Sequence, residues 1–279
     1  MGSHRDFFSF EVDGVDSLML LMKRLLVIMG VRKAYHFWFA LADLNKRFEL
    51  NRTLIILFFL LSPLLSLAQT HVADSLKTVL ASSEGKERLI ILNKLAYELI
   101  GQDNEMADRY SDEAIRLGEQ INQQQLTGVA YSQKGVNAYL SGYYAKALRN
   151  LRQGLTLAQK ANDRPNQGYT LLQLGNCYLD KGVFDSSKLY YDKAYEILID
   201  STNPLNLSKL YRNLSVLYRF SSSVEMQKKY LSRALAINYA IQDDARIIDI
   251  LILRATMYAR QANYDSANHT LNEATKISA

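Results

Sequence analysis

The chain has 279 residues, 48% of them hydrophobic, with 33 Lys/Arg set against 28 Asp/Glu. That is enough apolar matter for a sizeable core. Charges of both signs are interleaved without a dense basic run, which argues against a nucleic-acid footprint. A single cysteine, Cys177, excludes an internal disulfide framework and a cysteine-based zinc site.

Residues 1–43 form an N-terminal extension in which the apolar run 17–29 is interrupted by Lys23 and Arg24 and followed by Phe37-Trp38-Phe39. Two readings stand: the native start lies further on, near Leu44 or Leu50, or the extension is an amphipathic segment at a membrane surface. Residues 44–68 have the layout of a secretory signal. Lys46, Arg47 and Arg52 precede an apolar run from Thr53, and Ser66 and Ala68 are small residues spaced for a signal peptidase. The apolar stretch 53–68 is shorter than the roughly 20 residues a spanning helix needs, and Pro63 interrupts it. The expected cut falls between Ala68 and Gln69, with an uncleaved membrane anchor as the rival. Either way the chain is expected to be exported, periplasmic or anchored in the inner membrane.

Residues 69–85 read as a linker and an opening helix around Asp74-Ser75-Leu76. From residue 86 to 279 a forty-residue period runs. Gly135, Gly175, Ser215 and Ala255 align, and three residues on stand Ala138, Tyr178, Tyr218 and Tyr258. Gly142, Gly182, Ser222 and Ala262 follow, then Tyr144, Phe184, Val224 and Tyr264. Ala147, Ser187, Gln227 and Ala267 come next, then Leu151, Tyr191, Leu231 and Leu271, and finally Gly154, Ala194, Ala234 and Ala274. Leu95, Ala107, Ser111 and Ala114 give a weaker first copy. The units are set at about 86–125, 126–165, 166–205, 206–245 and 246–279.

Within a unit the apolar residues recur at helical spacing, as in Leu171, Leu172, Leu174 and Tyr178. The small residue at Gly135 or Gly175 admits a second helix closely, and the Gly142 or Gly182 position suits a left-handed turn between the two. Asn203-Pro204 reads as an N-cap followed by a first helical residue. Strand patterns are absent. The architecture expected is all-α: antiparallel helix pairs stacked into a right-handed superhelix.

Chemistry-bearing constellations are not found. His4, His36, His71 and His269 are isolated in sequence, glycines fall at repeat positions rather than in a phosphate loop, and no nucleophile–base pair can be built. No catalytic residue, metal ligand or cofactor is expected, and the chain reads as a non-enzyme.

Leu174-Gly175-x-x-Tyr178, Gly182-x-Phe184, Tyr191 and Ala194, with Gly142-x-Tyr144-x-x-Ala147, resemble the signature of the tetratricopeptide repeat family. The resemblance extends over residues 86–279, in a long-period form with about six residues beyond the usual 34. Val224 and Gln227 depart from the pattern and imply looser packing in the fourth unit. The order of signal-like segment, opening helix and repeats is similar to the sensory regions of bacterial envelope signalling proteins. In the family the first helix of each pair lines a concave groove. Carried over by register, Asn93, Tyr139, Gln173, Asn176, Lys209, Arg212, Asn213, Val216 and Arg219 fall on or near it.

Lys209, Arg212 and Arg219 could hold a carboxylate or phosphate. They resemble the carboxylate clamp of chaperone-binding repeats only in part, because Ser132 and Val136 stand where a preceding clamp unit needs lysine and asparagine. The alternative is a solvated basic face. The resemblance thus implies a protein or peptide partner with an anionic group, and membrane association through the N-terminal segment. The competing reading is a sensory region of a longer histidine kinase or transcriptional regulator.

Overall fold

A computed structural model describes residues 72–200 and 203–278; the N-terminal extension, the signal-like segment, and Ala68 and Gln69 lie outside the described residues. Among the described residues there are 11 helices and no strand. Helix α1 covers 72–82. Then follow α2 (Gly85–Leu99), α3 (Asn104–Gln120), α4 (Gln124–Leu140), α5 (Tyr144–Lys160) and α6 (Arg164–Asp180). The series ends with α7 (Phe184–Leu198), α8 (Pro204–Phe220), α9 (Val224–Ala240), α10 (Asp244–Arg260) and α11 (Tyr264–Ser278). No helix among the described residues is long and apolar enough to cross a membrane.

The forty-residue period has a simple cause. A helix of 17 residues such as α4 or α5 is followed by a turn of three, so helices begin at Asn104, Gln124, Tyr144, Arg164 and onward at one spacing. Two half-units make one hairpin. The pairs therefore begin at Gln124, Arg164, Pro204 and Asp244, two residues ahead of the divisions set by the sequence spacing.

Seven of the described turns share one hydrogen-bond pattern. After α4, the Tyr143 N–H donates to the Ala138 carbonyl at 2.8 Å and the Gly142 N–H to the Tyr139 carbonyl at 2.9 Å. These are the paired bonds of a Schellman closure, which needs a left-handed residue between them. That residue is Asn122, Gly142, Asn162, Gly182, Ser222, Gln242 or Ala262, with φ of 54, 80, 52, 72, 56, 54 and 57°. Starts are fixed in kind: the carboxylates of Asp103, Asp163 and Asp243 accept from the N–H of Met106, Asn166 and Arg246 at 3.0, 3.2 and 3.1 Å. Asn203 caps α8 by accepting from Leu205 at 3.1 Å, with Pro204 in the first turn.

Each hairpin closes on its small residues. A methyl group at Gly135 would lie 2.6 Å from Leu151, and one at Gly175 would overlap the ring of Tyr191. Ala147, Ala194, Ala234, Ala267 and Ala274 are buried along the second helices. The aromatic position behaves differently from copy to copy. Ala138 is buried, whereas Tyr178 stacks on Tyr190 of α7 (5.3 Å between centroids, 7° between planes) and Tyr218 repeats this on Tyr230 of α9 (5.5 Å, 14°). The weak first copy is built as well as the rest, since Leu95, Ala107, Ser111 and Ala114 are all fully buried.

Left-handed geometry costs an L-residue with a Cβ about 1–2 kcal/mol. Ala262→Gly is therefore expected to stabilise the fold by about 1 kcal/mol, and Gly182→Ala to destabilise it similarly. Urea unfolding midpoints of the two variants check both signs.

Candidate functional site

First helices of successive units touch one another: α2 meets α4, α4 meets α6, and α6 meets α8. They form one wall of the stack, and the residues assigned to the groove by register lie on them.

The centre of that wall is a polar ladder across α6, α7 and α8. The Asn176 side-chain oxygen accepts from the Tyr191 hydroxyl at 2.8 Å and from the Asn213 amide at 2.7 Å. The Asn176 amide donates to the Gln173 oxygen at 3.0 Å, and the Arg212 guanidinium donates to the Asn213 oxygen at 3.1 Å. Four of the register-assigned residues, Gln173, Asn176, Arg212 and Asn213, are thus joined in one network. Because Tyr191 is fully buried and its hydroxyl reaches Asn176, the network ties the wall to the core.

The other assigned residues are dispersed. Asn93 is buried and its amide donates to the Leu126 carbonyl at 3.1 Å, so it fastens α2 to α4 instead of facing a ligand. Tyr139 donates to the Asp180 carboxylate at 2.6 Å; burial first, then this bond, raises its pKa. Val216 packs against the core cluster of the last three units. Arg219 lies over the Phe220 ring at 4.8 Å, and Phe220 stacks on Phe184, also at 4.8 Å. Along the helix axis Arg219 stands about 15 Å from Lys209, so the two cannot share one carboxylate.

Lys209 and Arg212 are neighbours one turn apart. Lys209 is half-buried and makes no hydrogen bond or ion pair among the described residues. Burial pulls its pKa below the ordinary lysine value, with Arg246 adding repulsion, while Asp243 offsets part of the effect. Asp243 is itself committed, since it caps α10 and pairs with the Arg246 guanidinium. Helix α8 carries Lys209, Arg212 and Arg219 and no acidic residue. Cations at other seams are matched: Arg88 with Glu113, Lys134 with Asp112, Lys146 with Asp108, and Arg254 with Glu273. Cys177 is fully buried and burial pushes its thiol up to about 12, which leaves a small apolar core residue.

Reasoning from register missed a cavity of about 310 Å³ lined by Tyr97, Glu98, Ile100, Gln102, Val136 and Tyr169. Two of these were within reach: Val136 shares its position with Asn176 and Val216, and Tyr169 with Lys209. Tyr97 and Glu98 share positions with Asn137 and Ala138, both buried, so register alone does not mark them as lining an opening.

The fold is that of the tetratricopeptide-like helical solenoids. No family profile matches the sequence. Response regulator aspartate phosphatase A of Bacillus subtilis (strain 168) is 27% identical over 128 residues, which are 46% of this chain and 33% of that protein. The chain thus spans about a third of that relative's length. Among solved structures, a signal transduction ATPase with a tetratricopeptide repeat sensor from Pyrococcus horikoshii is similar, with a TM-score of 0.58 and 22% identity. The match covers 71% of this chain and 31% of that one. A Rap protein complexed with competence and sporulation factor gives a TM-score of 0.54 at 17% identity, over 75% of this chain and 57% of that chain.

Replacing Asn176 by leucine leaves the Tyr191 hydroxyl and the Asn213 amide without their acceptor. An orphaned buried donor costs about 1–3 kcal/mol. Asn176→Leu is expected to lower stability by about 2 kcal/mol and Tyr191→Phe by about 1 kcal/mol. Combining them is expected to cost less than the sum, because the two share one bond; a double-mutant cycle in urea measures this.

Proposed function

We propose that the chain is a non-catalytic binding scaffold whose first-helix wall holds a peptide or protein segment, with an anionic group of that segment seated on Lys209 and Arg212. One observation carries this reading: α8 presents cations without any acid of its own, and Lys209 is half-buried with no partner. An unpaired, partly desolvated ammonium is destabilising in the free protein, and a bound carboxylate or phosphate relieves that cost through charge-assisted bonds. The solved Rap protein complex, of similar fold, supports a bound partner.

The competing function, sensory region of a longer signalling protein, draws support from the sensor repeats of the Pyrococcus horikoshii ATPase. It differs in requiring that binding alter the packing of successive hairpins. The name of the Bacillus subtilis relative raises phosphatase action. On the scaffold reading, adding the chain to a phosphorylated receiver domain leaves the lifetime of its aspartyl phosphate unchanged, and a shortened lifetime would falsify the non-catalytic assignment.

Export, to the periplasm or to an anchored position on the inner membrane, is the second part of the proposal. The basic residues Lys46, Arg47 and Arg52, the apolar run after them, and Ala68 support it. Amino-terminal sequencing of the mature protein is expected to begin at Gln69; an intact Met1 would sink the cleaved form.

Lys209→Ala combined with Arg212→Ala is expected to weaken a retained acidic peptide by roughly tenfold or more, since charge-assisted bonds contribute about 1.5–3 kcal/mol each. Arg219→Ala, about 15 Å along the helix, is expected to do much less. The sign of the pH effect follows from the depressed Lys209. Its charged form is disfavoured by folding, so the residue costs stability at neutral pH and stops doing so once alkali removes the proton in both states. Lys209→Met is thus expected to hold or raise the melting temperature at neutral pH while binding falls. Unchanged affinity in the double alanine variant would end the anion assignment.

A further inference from the structure

A second site on the same wall reads a different chemical group. In the cavity of about 310 Å³ the carboxylate-bearing Glu98 sits with two tyrosines and the apolar Ile100 and Val136. Glu98 makes no ion pair or hydrogen bond among the described residues, and neither the Tyr97 nor the Tyr169 hydroxyl has a hydrogen-bond partner there. Tyr97 is left 54% exposed, while Tyr169 is half-buried and close enough to feel Tyr97 electrostatically. An unpaired carboxylate, two aromatic rings and an apolar wall around one opening are complementary to an ammonium carried on an apolar body. The carboxylate supplies the charge, the ring faces attract the cation, and the wall takes the carbon.

The geometry points to this cavity as a pocket for the free amino-terminal residue of a bound peptide. An amino-terminal residue carries its ammonium and its side chain on one carbon, so both fit a cavity where the acid and the apolar wall face the same space. A lysine instead carries its ammonium at the tip of a single unbranched stem, with no second apolar group branching from the charged carbon to fill the wall beside it. This inference rests on the wall holding a peptide. It adds a direction: the amino terminus lies over α2, α4 and α6, and the acidic part over α8. Two regions of the wall have opposite charge preferences, Glu98 on α2 and Lys209 with Arg212 on α8, and this complements the charges at the ends of a short linear peptide.

The probes are pools of short peptides of randomised sequence that lack Lys and Arg and end in an acidic residue, offered to the immobilised full chain and read by mass spectrometry. One pool has free amino termini, a second is acetylated there, and a third is acetylated but carries an internal lysine. The free pool is expected to bind roughly tenfold more tightly than the acetylated one. Glu98→Gln is expected to erase that difference without changing the melting temperature, since Glu98 has no partner to lose. Equal retention of free and acetylated pools would overturn the pocket while leaving the α8 assignment standing, provided Lys209→Ala with Arg212→Ala still weakens both. Recovery of binding by the third pool, dependent on Glu98, would also overturn it by showing a side-chain ammonium as the occupant. If the native chain retains none of the pools, the peptide-holding wall itself falls, and this pocket with it.

Discussion

A backbone constraint governs this molecule: seven of the described helices end in a residue with positive φ, and those residues fall on one twenty-residue grid. The Schellman closure satisfies the last carbonyls of one helix and aims the chain back along it. With seven such closures at multiples of twenty residues, the hairpins stack in one register, and the small residues Gly135 and Gly175 meet the same opposing position, Leu151 or Tyr191. The hydrophobic core is therefore a chain of local contacts between neighbouring hairpins, as in other repeat solenoids. Asparagine at Asn122 and Asn162 and glycine at Gly142 and Gly182 meet the backbone requirement cheaply. Ser222, Gln242 and Ala262 meet it at a cost.

The first-helix wall mixes two kinds of polar residue that sequence position does not separate. Some are structural: Asn93 fastens α2 to α4, and Asn176 gathers bonds from Tyr191 and Asn213. Others are unsatisfied within the protein, Lys209 foremost. Proteins rarely leave a half-buried ammonium without an acid beside it. Here the acid that acts on it, Asp243, is occupied by the cap of α10 and by Arg246. That contrast between satisfied amides and an unsatisfied cation singles out the α8 region on the wall.

Much of the fold was legible because the period is long and the landmarks are stereochemical. Gly142 and Gly182 announce left-handed turns by their identity, whereas Ser222 and Ala262 announce them only by standing under those glycines. The close approach at Gly175 was legible for the same reason, with Tyr191 sixteen positions on as its counterpart. The candidate site was less legible. Register tells which helix a residue is on, but a few tens of degrees of rotation decide whether it faces outward or is buried, and Asn93 and Gln173 are buried. The cavity was hidden because the counterparts of Tyr97 and Glu98 one unit on, Asn137 and Ala138, are buried, so the period gave no sign of an opening there.

The turns on both edges of the stack are of one kind, so the half-unit of one helix and one turn is itself a complete geometric step. Duplicating a single step would fit every turn yet exchange the inner and outer roles of all helices beyond it, turning buried alanine faces toward the groove. Only even numbers of steps preserve the two sides. A gene of this kind can lengthen or shorten freely by whole hairpins, and its wall can gain or lose reading positions in that quantum and no smaller one.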